Sequence, residues 1–336
     1  MQPKDALLFE LTARALGEPL PMTPEQIIEK KESINISLVI SYCKISLAWI
    51  PEYMGREGGS YRVTDITIIT KCGKEVMGLA ELETLGGEIK IVEHRNVGRC
   101  DHSYAYWIKN NLANITKTKD GDNLILFTKD NPRQMKKFRS FQKLFLTTIS
   151  HGFSCALDQK HLIRNFRLPE TLKPTLIPLV FHNKTKMDGF SKLGHPRLPS
   201  DVTYGFKSDY SDIQDWRNSL GIIYPNAAYV PACYGGIFMV QKKGLFNQPS
   251  YVWENLEINL SRQSNLEEGH FVERAWASIL SPTETHTYME LLSPFLYENI
   301  KYEQASGDLV GTLFLDRGFV VEHFTSKVNT SSLVYK

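Results

Sequence analysis

Between residues 34 and 128 the chain alternates short β-type apolar runs with segments of helical character, and this alternation limits the fold most strongly. The apolar runs are INISLVI (34–40), VTDITIIT (63–70), EIKIVE (88–93) and NLILFT (123–128). The segments between them are expected to form helices at 44–54, 74–84 and 102–112. Strands that alternate with helices form βαβ units, so the pattern predicts an α/β fold with a mainly parallel sheet and helices on both faces.

The rest of the chain predicts additions to this α/β domain, which we place at 34–280. A helix at 134–149, a strand at 236–241 and helices at 249–262 and 269–280 complete the domain. The proline-rich region between 151 and 230 predicts loops laid over the sheet. An N-terminal helical extension (1–33, helices at 4–16 and 24–31) and a C-terminal extension (281–336, two short strands between 309 and 324) are expected to flank it.

Charge and cysteine content exclude several classes of protein. The 39 basic and 37 acidic residues nearly balance, which argues against a dedicated nucleic-acid binder. No apolar stretch approaches 18 residues, so we expect no transmembrane span. The five cysteines are scattered without a CxxC motif, which predicts neither a disulfide framework nor a zinc cage. A reducing compartment, and hence a cytoplasmic location, is the simplest expectation.

The residues that follow the predicted strands are where a ligand is expected, since open α/β sheets bind ligands beyond the carboxyl ends of their strands. These residues include many cations and few anions: Ser41, Tyr42, Lys44, Lys71, Arg95, Asn96, Arg99, Lys129 and Asp130. The composition suits an anionic ligand such as a diphosphate. Neither GxGxxG nor GxxxxGK[ST] is present, so the dinucleotide and P-loop interpretations lose support.

Asp130 is the candidate metal ligand at this edge. One carboxylate can hold Mg²⁺ or Mn²⁺ when substrate phosphates and water supply the other oxygens. A turn aspartate near the next helix is an equally open interpretation. Asp120 and Asp122 form a literal DxD, but they precede a strand and are better explained as a solvent turn.

Two further segments have residue types suited to a sugar transfer. Glu273 and His270 lie three apart on a predicted helix, and a carboxylate in reach of a hydroxyl can act as a general base. A structural pair of Glu273 with Arg274 is the alternative. Tyr234, Gly235 and Gly236 would let a sugar ring approach the backbone, or they simply make a tight entry to the strand.

Four segments together resemble the DUF3431 family, a domain of unknown function found in fungi and other eukaryotes. The segments are SLVISYCKISLAWI (37–50), NVGRCDHSYAYWIKNN (96–111), YGGIFMVQKKGLFNQPSYVWENL (234–256) and FVERAWASIL (271–280). The chain departs from the family pattern at Cys43-Lys44, where the family has an Asn-Glu-like pair. It departs again at Cys100, which replaces an acidic residue whose role Asp101 would take over.

The family is remotely similar to the GT-A glycosyltransferases, which implies a Rossmann-like sheet, a nucleotide-diphosphate sugar and usually a divalent metal, Mn²⁺ or Mg²⁺. By this resemblance Ser41 and Tyr42 lie near the nucleotide base, and Asn96 and Arg99 lie near the ribose or diphosphate. Asp130 stands where the metal ligand would be, and Glu273 stands where an inverting enzyme has its base.

The expected function is therefore a metal-assisted, inverting glycosyltransferase with a nucleotide-sugar donor and a glycan acceptor. Lys129 at the edge of the sheet would join the residues that bind the donor. The alternative is a carbohydrate- or protein-binding module that kept the fold without the chemistry. A methyltransferase is a weaker alternative, because no glycine-rich turn follows the first strand.

Overall fold

The computed structural model describes residues 34–55, 61–115, 123–131, 140–156, 180–183, 206–224, 229–233, 235–280 and 313–314. Several predictions fall outside these residues and stay predictions: the helices of the N-terminal extension, the turn with Asp120 and Asp122, and the role of Tyr234.

The predicted alternation of strands and helices is confirmed over the α/β region. The strands are β1 (Ile34–Tyr42), β2 (Tyr61–Thr70), β3 (Glu88–Glu93), β4 (Leu124–Lys129), β5 (Phe153–Cys155), β6 (Val180–Asn183), β7 (Tyr229–Ala232), β8 (Phe238–Gln241) and β9 (Leu313–Phe314). The helices are α1 (Trp49–Met54), α2 (Leu79–Glu83), α3 (Arg99–Ile115), α4 (Phe141–His151), α5 (Ile213–Ser219), α6 (Ser250–Asn259) and α7 (Glu267–Leu280), with a 3₁₀ helix at Lys242–Asn247.

The main sheet has six strands in the order β3-β2-β1-β4-β8-β5 and is mixed. β1 pairs in parallel with β2 and β4, and β2 pairs in parallel with β3, as the βαβ pattern predicts. β8 runs antiparallel to both β4 and β5. The strand predicted at 236–241 is therefore present, but it departs from the parallel direction expected for most of the sheet.

Two separate apolar cores cover the two faces of the sheet, which confirms the prediction of helices on both sides. Val39 of β1 packs into one core, whereas Leu38 and Ile40 pack into the other, as side chains of a strand alternate. The first core is rich in aromatic residues of α3, α6, α7 and β8, among them Tyr104, Trp107, Trp253, Trp276 and Phe238. The second core gathers residues of α1, α2 and α4.

The first two helices are shorter than predicted because the loops before them pack closely. Gly78 precedes α2 with a φ of +88°, and a Cβ there would lie 2.6 Å from the backbone nitrogen of Ala48. The backbone N–H of Leu47 donates to the carbonyl of Met77, which ties the two loops together. Residues 44–48 and 74–78 are therefore used for this contact and do not extend the helices.

The region between 151 and 230, predicted as loops, contains regular elements in its described parts. These are β5, β6, α5 and β7, and β6 lies between β7 and β9 in a small antiparallel sheet. Such strands of three or four residues are too short to show a period of two in the sequence. The described part of the C-terminal extension, Leu313–Phe314, is the short strand that pairs with β6.

The prediction that the cysteines form no disulfides is wrong for the described structure. Cys43 pairs with Cys72 and Cys155 pairs with Cys233, and only Cys100 keeps a free thiol. The Cα atoms of the two pairs are 4.9 and 5.6 Å apart, within the usual range for disulfides. The expectation of a cytoplasmic location rested on unpaired cysteines, and this argument no longer holds.

In the described parts of the chain, we find no helix with the length and apolar character needed to cross a membrane.

Candidate functional site

The carboxyl ends of β1 and β4 form the point where the strand order reverses, which is the usual ligand crevice of a doubly wound sheet. The order β3-β2-β1-β4 places this reversal between Ser41 and Lys129, which are register partners at the two strand ends. The antiparallel β8 starts where β4 ends, so the turn at 235–237 reaches the same edge of the sheet. The edge predicted from the sequence is therefore formed, and β8 adds a loop to it.

Six ionisable side chains gather at this edge, from the start of α3, the end of β4 and the first half of α7. We call them the edge cluster: Arg99, Cys100, Asp101, Lys129, His270 and Glu273. Gly236 lies against the cluster, since a Cβ there would be 2.8 Å from the Cys100 Sγ and 3.9 Å from the Lys129 Nζ. The close approach explains why a glycine stands at this position.

Glu273 is held by neighbours on both of its oxygens. Its Oε1 accepts a 2.9 Å hydrogen bond from the backbone N–H of Gly235, and its Oε2 lies 3.8 Å from the His270 Nδ1. Arg99 donates from Nη1 to the His270 Nε2 at 3.3 Å, so we assign the imidazole proton to Nδ1, which faces the carboxylate. His270 and Glu273, three residues apart on α7, thus face each other in the structure.

The same partners set the charge state of Glu273. Burial alone would raise the pKa of its carboxyl group. The nearby His270 imidazole, the charges of Arg274 and Arg99 and the hydrogen bond from Gly235 outweigh burial and lower the pKa to about 2. Burial also lowers the pKa of His270. At neutral pH the pair is therefore a carboxylate beside a neutral imidazole.

Asp101 is a buried acid with the opposite behaviour, and the sequence analysis gave it only a substitute role. Burial, together with the negative charge of Glu273, raises the pKa of Asp101 to about 6. Its Oδ1 accepts a 2.8 Å hydrogen bond from the indole Nε1 of Trp276. Burial likewise raises the pKa of the Cys100 thiol to about 12, which keeps it protonated at neutral pH. The two carboxyl groups of the edge cluster, Asp101 and Glu273, therefore ionise at different pH values.

The bond between Asp101 and Trp276 joins the two segments on which the family resemblance depends most. Asp101 belongs to the segment 96–111, and Trp276 follows Glu273 and Arg274 in the segment 271–280. An acid in the first turn of a helix, just after a cationic loop, is the sequence signal that could have identified Asp101. Its burial, which raises its pKa, is decided by packing against α7.

A buried lysine shapes the loop that presents Arg99. The Lys71 Nζ donates to the carbonyls of Val97 and Arg99, and burial lowers the pKa of this lysine to about 8. Gly98 and Arg99 both have positive φ angles, +55° and +52°. A Cβ at Gly98 would collide with the carbonyl oxygen of Leu260 and the Cβ of His102. The Lys71 hydrogen bonds and the close packing of Gly98 therefore hold the loop in place, and the Arg99 side chain is exposed at the edge.

Asp130 has a different environment from the one that a metal site would need. Its Oδ2 accepts backbone N–H groups from Cys43, Lys44 and Ile45 at 2.7–2.9 Å. No group of three metal-ligating side chains in the described structure includes Asp130. The residues present do not make a resident Mg²⁺ or Mn²⁺ site there, because these ions need several oxygen ligands. The carboxylate instead stabilises the turn after β1, a contact that neither sequence interpretation included.

The other predicted nucleotide-binding residues do not belong to the edge cluster, although Ser41 pairs with Lys129 across the two strands. Ser41 is buried and shares a 2.9 Å hydrogen bond with Ser103. Tyr42 is buried, and its hydroxyl donates to the Glu75 carbonyl and accepts from the Met77 N–H. Asn96 is exposed on the loop after β3. Contacts of these three residues with a nucleotide stay predictions.

Comparison with known proteins identifies no relative: no family model, no curated protein and no solved structure matches this chain.

Proposed function

We propose that this protein is a glycosyltransferase that moves a sugar from a nucleotide-diphosphate donor to a glycan hydroxyl. The observation that supports it most is the edge cluster. At the point where the strand order reverses, it places two cations and two carboxyl groups beside a pair of glycines. The pKa of one carboxyl group is raised and that of the other is lowered. A diphosphate needs cations, and an acceptor hydroxyl needs a carboxylate. Both are present at the place where an open α/β sheet binds ligands.

Arg99 and Lys129 are the residues we assign to the diphosphate. Arg99 is exposed at the start of α3, and Lys129 ends β4, so both can reach an anion held over the sheet edge. Their charges neutralise the leaving group as its bond to the anomeric carbon breaks. This assignment needs no protein-held metal, so Mn²⁺ or Mg²⁺ is part of the proposal only as an ion carried by the substrate.

Glu273 is the residue we assign to the acceptor. The acceptor oxygen forms a bond to the anomeric carbon while the bond from that carbon to the diphosphate oxygen breaks, and the hydroxyl proton passes to the Glu273 carboxylate. With its pKa lowered to about 2, the carboxylate is a weak base and takes the proton late, when the attacking oxygen has become acidic. A single displacement of this kind inverts the anomeric carbon.

His270 and Gly235 position this carboxylate, and Gly236 lets the turn pack against the edge cluster. His270 and the Gly235 N–H hold the two oxygens of Glu273. Gly236 is buried with a φ of +65°, and a Cβ there would meet the Cys100 Sγ, so the glycine makes room for the cluster itself. These are positioning roles, so their loss should weaken turnover less than the loss of Glu273.

The first test is a thermal-shift screen of the full chain against UDP, GDP and CDP, with and without Mn²⁺. A ligand at 100 times its Kd adds about 2.7 kcal/mol to the stability of the folded state, which gives a visible shift. Arg99→Met and Lys129→Met should each reduce the shift with the preferred nucleotide. Lys143→Met, an exposed lysine on α4, is the matched control and should leave it unchanged.

Turnover then separates the two candidate functions. Glu273→Gln should abolish transfer of the sugar while leaving nucleotide binding in place. The alternative, a binding module without chemistry, is favoured by the commitment of Asp130 to a turn and by the weak basicity of Glu273. It predicts binding of free glycans and no transfer. Absence of any nucleotide shift would reject the transferase.

A further inference from the structure

A second polar cluster lies next to the edge cluster along α3, around the buried imidazole of His102. It joins His94, just after β3, to His102 in the first turns of α3 and to Glu257 on α6. One nitrogen of each imidazole and one carboxylate oxygen of Glu257 all lie within 4.8 Å of one another. We call this set the imidazole cluster. No residue of the edge cluster belongs to it.

Hydrogen bonds determine which nitrogens of the two rings carry protons. The His94 Nδ1 lies 3.4 Å from the Arg95 carbonyl, and since a carbonyl only accepts, we assign the proton to Nδ1. The Ser261 hydroxyl donates to the Glu257 carbonyl, so its oxygen accepts from the His102 Nε2 at 3.1 Å. Each neutral ring therefore has its second nitrogen, Nε2 of His94 and Nδ1 of His102, as an unprotonated lone pair.

The lone pair of His102 has no partner. The residue is fully buried, and its Nδ1 makes no hydrogen bond with any described residue. A buried acceptor without a partner lowers stability, and native proteins rarely leave one unless a ligand, an ion or water fills the gap. The orphan nitrogen lies in a ring whose centroid is only 4.7 Å from that of His94. The Glu257 Oε1 is 3.5 Å from the same ring, at Nε2.

From this geometry we propose that His94, His102 and Glu257 form a binding site for a divalent transition-metal ion, with Zn²⁺ as the best-suited ion. Two imidazoles and one carboxylate form a known ligand set for zinc, with further positions open to water or substrate. Ligand atoms around a tetrahedral zinc are about 3.3 Å apart at the usual bond lengths. From a spacing of up to 4.8 Å, the ligand atoms would have to approach one another by up to about 1.5 Å, and the Glu257 carboxylate, now 3.5 Å from the His102 Nε2, would have to turn toward Nδ1.

The ion would join three elements that the apo chain holds by weaker contacts. It would fix the loop after β3, which leads through Asn96 to Arg99, against α3 and α6. Metal-bound imidazoles generally keep their second nitrogen in a hydrogen bond to a carbonyl or carboxylate, as His94 does with Arg95. The site is separate from the proposed sugar transfer, and the inference does not depend on that function.

Nearby cations oppose the ion and provide a sharp test. The charges of Lys71, Arg95 and Lys109 all act on His102, and Lys109 holds the Glu257 Oε2 at 3.1 Å. If the cluster binds a cation, removing Lys109 should free the carboxylate and strengthen binding. If Glu257 serves only to pair with Lys109, the same change has no effect on metal affinity.

The experiment is titration of the chelator-treated full chain with Zn²⁺ by calorimetry, with Co²⁺ absorption as a report on ligand geometry. We expect one ion per chain, and affinity weakened at least about tenfold by His94→Ala and by Glu257→Gln. Lys109→Gln should raise the affinity. Glu254→Gln, an exposed acid one turn earlier on α6, is the matched control and should bind like the parent chain.

His94 and Glu257 are chosen because both are partly exposed, so their variants should fold, which near-ultraviolet circular dichroism will check. The proposal is overturned if the parent chain binds no Zn²⁺, or if folded His94→Ala binds it equally well. It is also overturned if His270→Ala, and not His94→Ala, removes the ion, because the metal would then lie in the edge cluster.

Discussion

The edge cluster and the imidazole cluster start from neighbouring residues of α3 yet satisfy their polar groups in different ways. In the edge cluster Asp101 and Glu273 have hydrogen-bond partners on separate elements, Trp276 and Gly235. In the imidazole cluster the Nδ1 of the buried His102 has no hydrogen-bond partner among the residues that the structure describes. Cations surround both clusters, but they stabilise the carboxylates of the first and oppose a charge on His102.

The difference shows how burial acts on acids and bases. In the edge cluster burial and hydrogen bonding move two carboxyl pKa values apart, to about 6 for Asp101 and about 2 for Glu273. In the imidazole cluster burial, helped by the nearby cations, lowers the pKa of His102 to about 3, which keeps its ring neutral. One cluster therefore holds two carboxyl groups that ionise at different pH values, and the other keeps an unshared lone pair.

The largest expected effect comes from the disulfide behind the edge cluster. Cys155→Ala with Cys233→Ala opens a loop of 78 residues, which should lower the free energy of unfolding by about 4.5 kcal/mol. The pair Cys43–Cys72 closes a loop of 29 residues, and its removal should lower the free energy of unfolding by about 3.6 kcal/mol. Denaturant unfolding measures both losses.

Because Cys233 lies two residues before Gly235, its loss should also weaken nucleotide binding while leaving Zn²⁺ affinity unchanged. An equal loss of affinity for the nucleotide and for Zn²⁺ would show that the two clusters are not independent.

The two carboxyl groups of the edge cluster should respond to pH in opposite directions. The pKa of Asp101 is raised from 3.8 to about 6, so the free energy of unfolding falls by about 3 kcal/mol as the pH rises through this interval. Asp101→Asn should therefore stabilise the protein above pH 6 and flatten its stability between about pH 4 and 6. Asp209→Asn, on an exposed residue, is the control and should leave the profile unchanged.

The contribution of Glu273 to stability should change with pH in the direction opposite to that of Asp101. The pKa of Glu273 is lowered from 4.5 to about 2, so the ionised carboxylate adds about 3 kcal/mol to the free energy of unfolding above pH 4.5. This contribution is lost as the pH falls toward 2. Glu273→Gln should lower stability at neutral pH and also lower the pKa of Asp101, which the Glu273 charge helps to raise. Carbon-13 NMR of the Asp101 carboxyl in both chains measures that shift; an unchanged pKa would contradict the coupling.

A smaller effect is expected from adding one methyl group at the cluster. Gly236→Ala combines a positive φ with a Cβ 2.8 Å from the Cys100 Sγ, whereas Gly73→Ala has a similar φ, +60°, and nothing within 4 Å. We expect a loss of about 1 kcal/mol at Gly73 and about 1–3 kcal/mol more at Gly236. Cys100→Ala should recover much of the additional loss, as thermal unfolding of the double variant would show.

The smallest effect concerns the imidazole cluster. Ser261→Ala removes the oxygen that accepts from the His102 Nε2, which should cost about 1 kcal/mol in denaturant unfolding. Saturation with Zn²⁺ should reduce this cost, since the metal would then hold the ring. A cost that stays the same with Zn²⁺ present would argue that the ion does not contact His102.

Much of the sheet could be predicted from the sequence because its signals are local. The strands β1 to β4 lie within two residues of their predicted bounds, and α3 and α7 extend the predicted helices by a few residues at their ends. Continuous apolar runs predict buried parallel strands, and helical periodicity predicts the helices between them. The antiparallel direction of β8 has no such signal, since the residue pattern of a short apolar strand does not depend on whether it pairs in parallel or antiparallel.

The candidate site was predicted in part. The cationic strand ends, the Gly235-Gly236 turn and the pair of His270 and Glu273 follow from residue type and position, and the structure brings Arg99, Lys129, His270 and Glu273 together. The burial of Asp101 and the hydrogen bonds that occupy Asp130 and Tyr42 depend on segments far apart in the chain. No spacing rule reports on such contacts.

The sequence by itself determined the α/β pattern, the edge of the sheet at which polar residues gather and the kinds of charge found there. Only the tertiary structure decided which cysteines pair, which carboxyl group ionises first and which buried histidine has a ring nitrogen with no hydrogen bond to a described residue. The physical reason is that periodicity and residue type act over one or two turns, whereas pKa values, disulfides and ligand sets depend on neighbours that folding brings from 29 to 171 residues away.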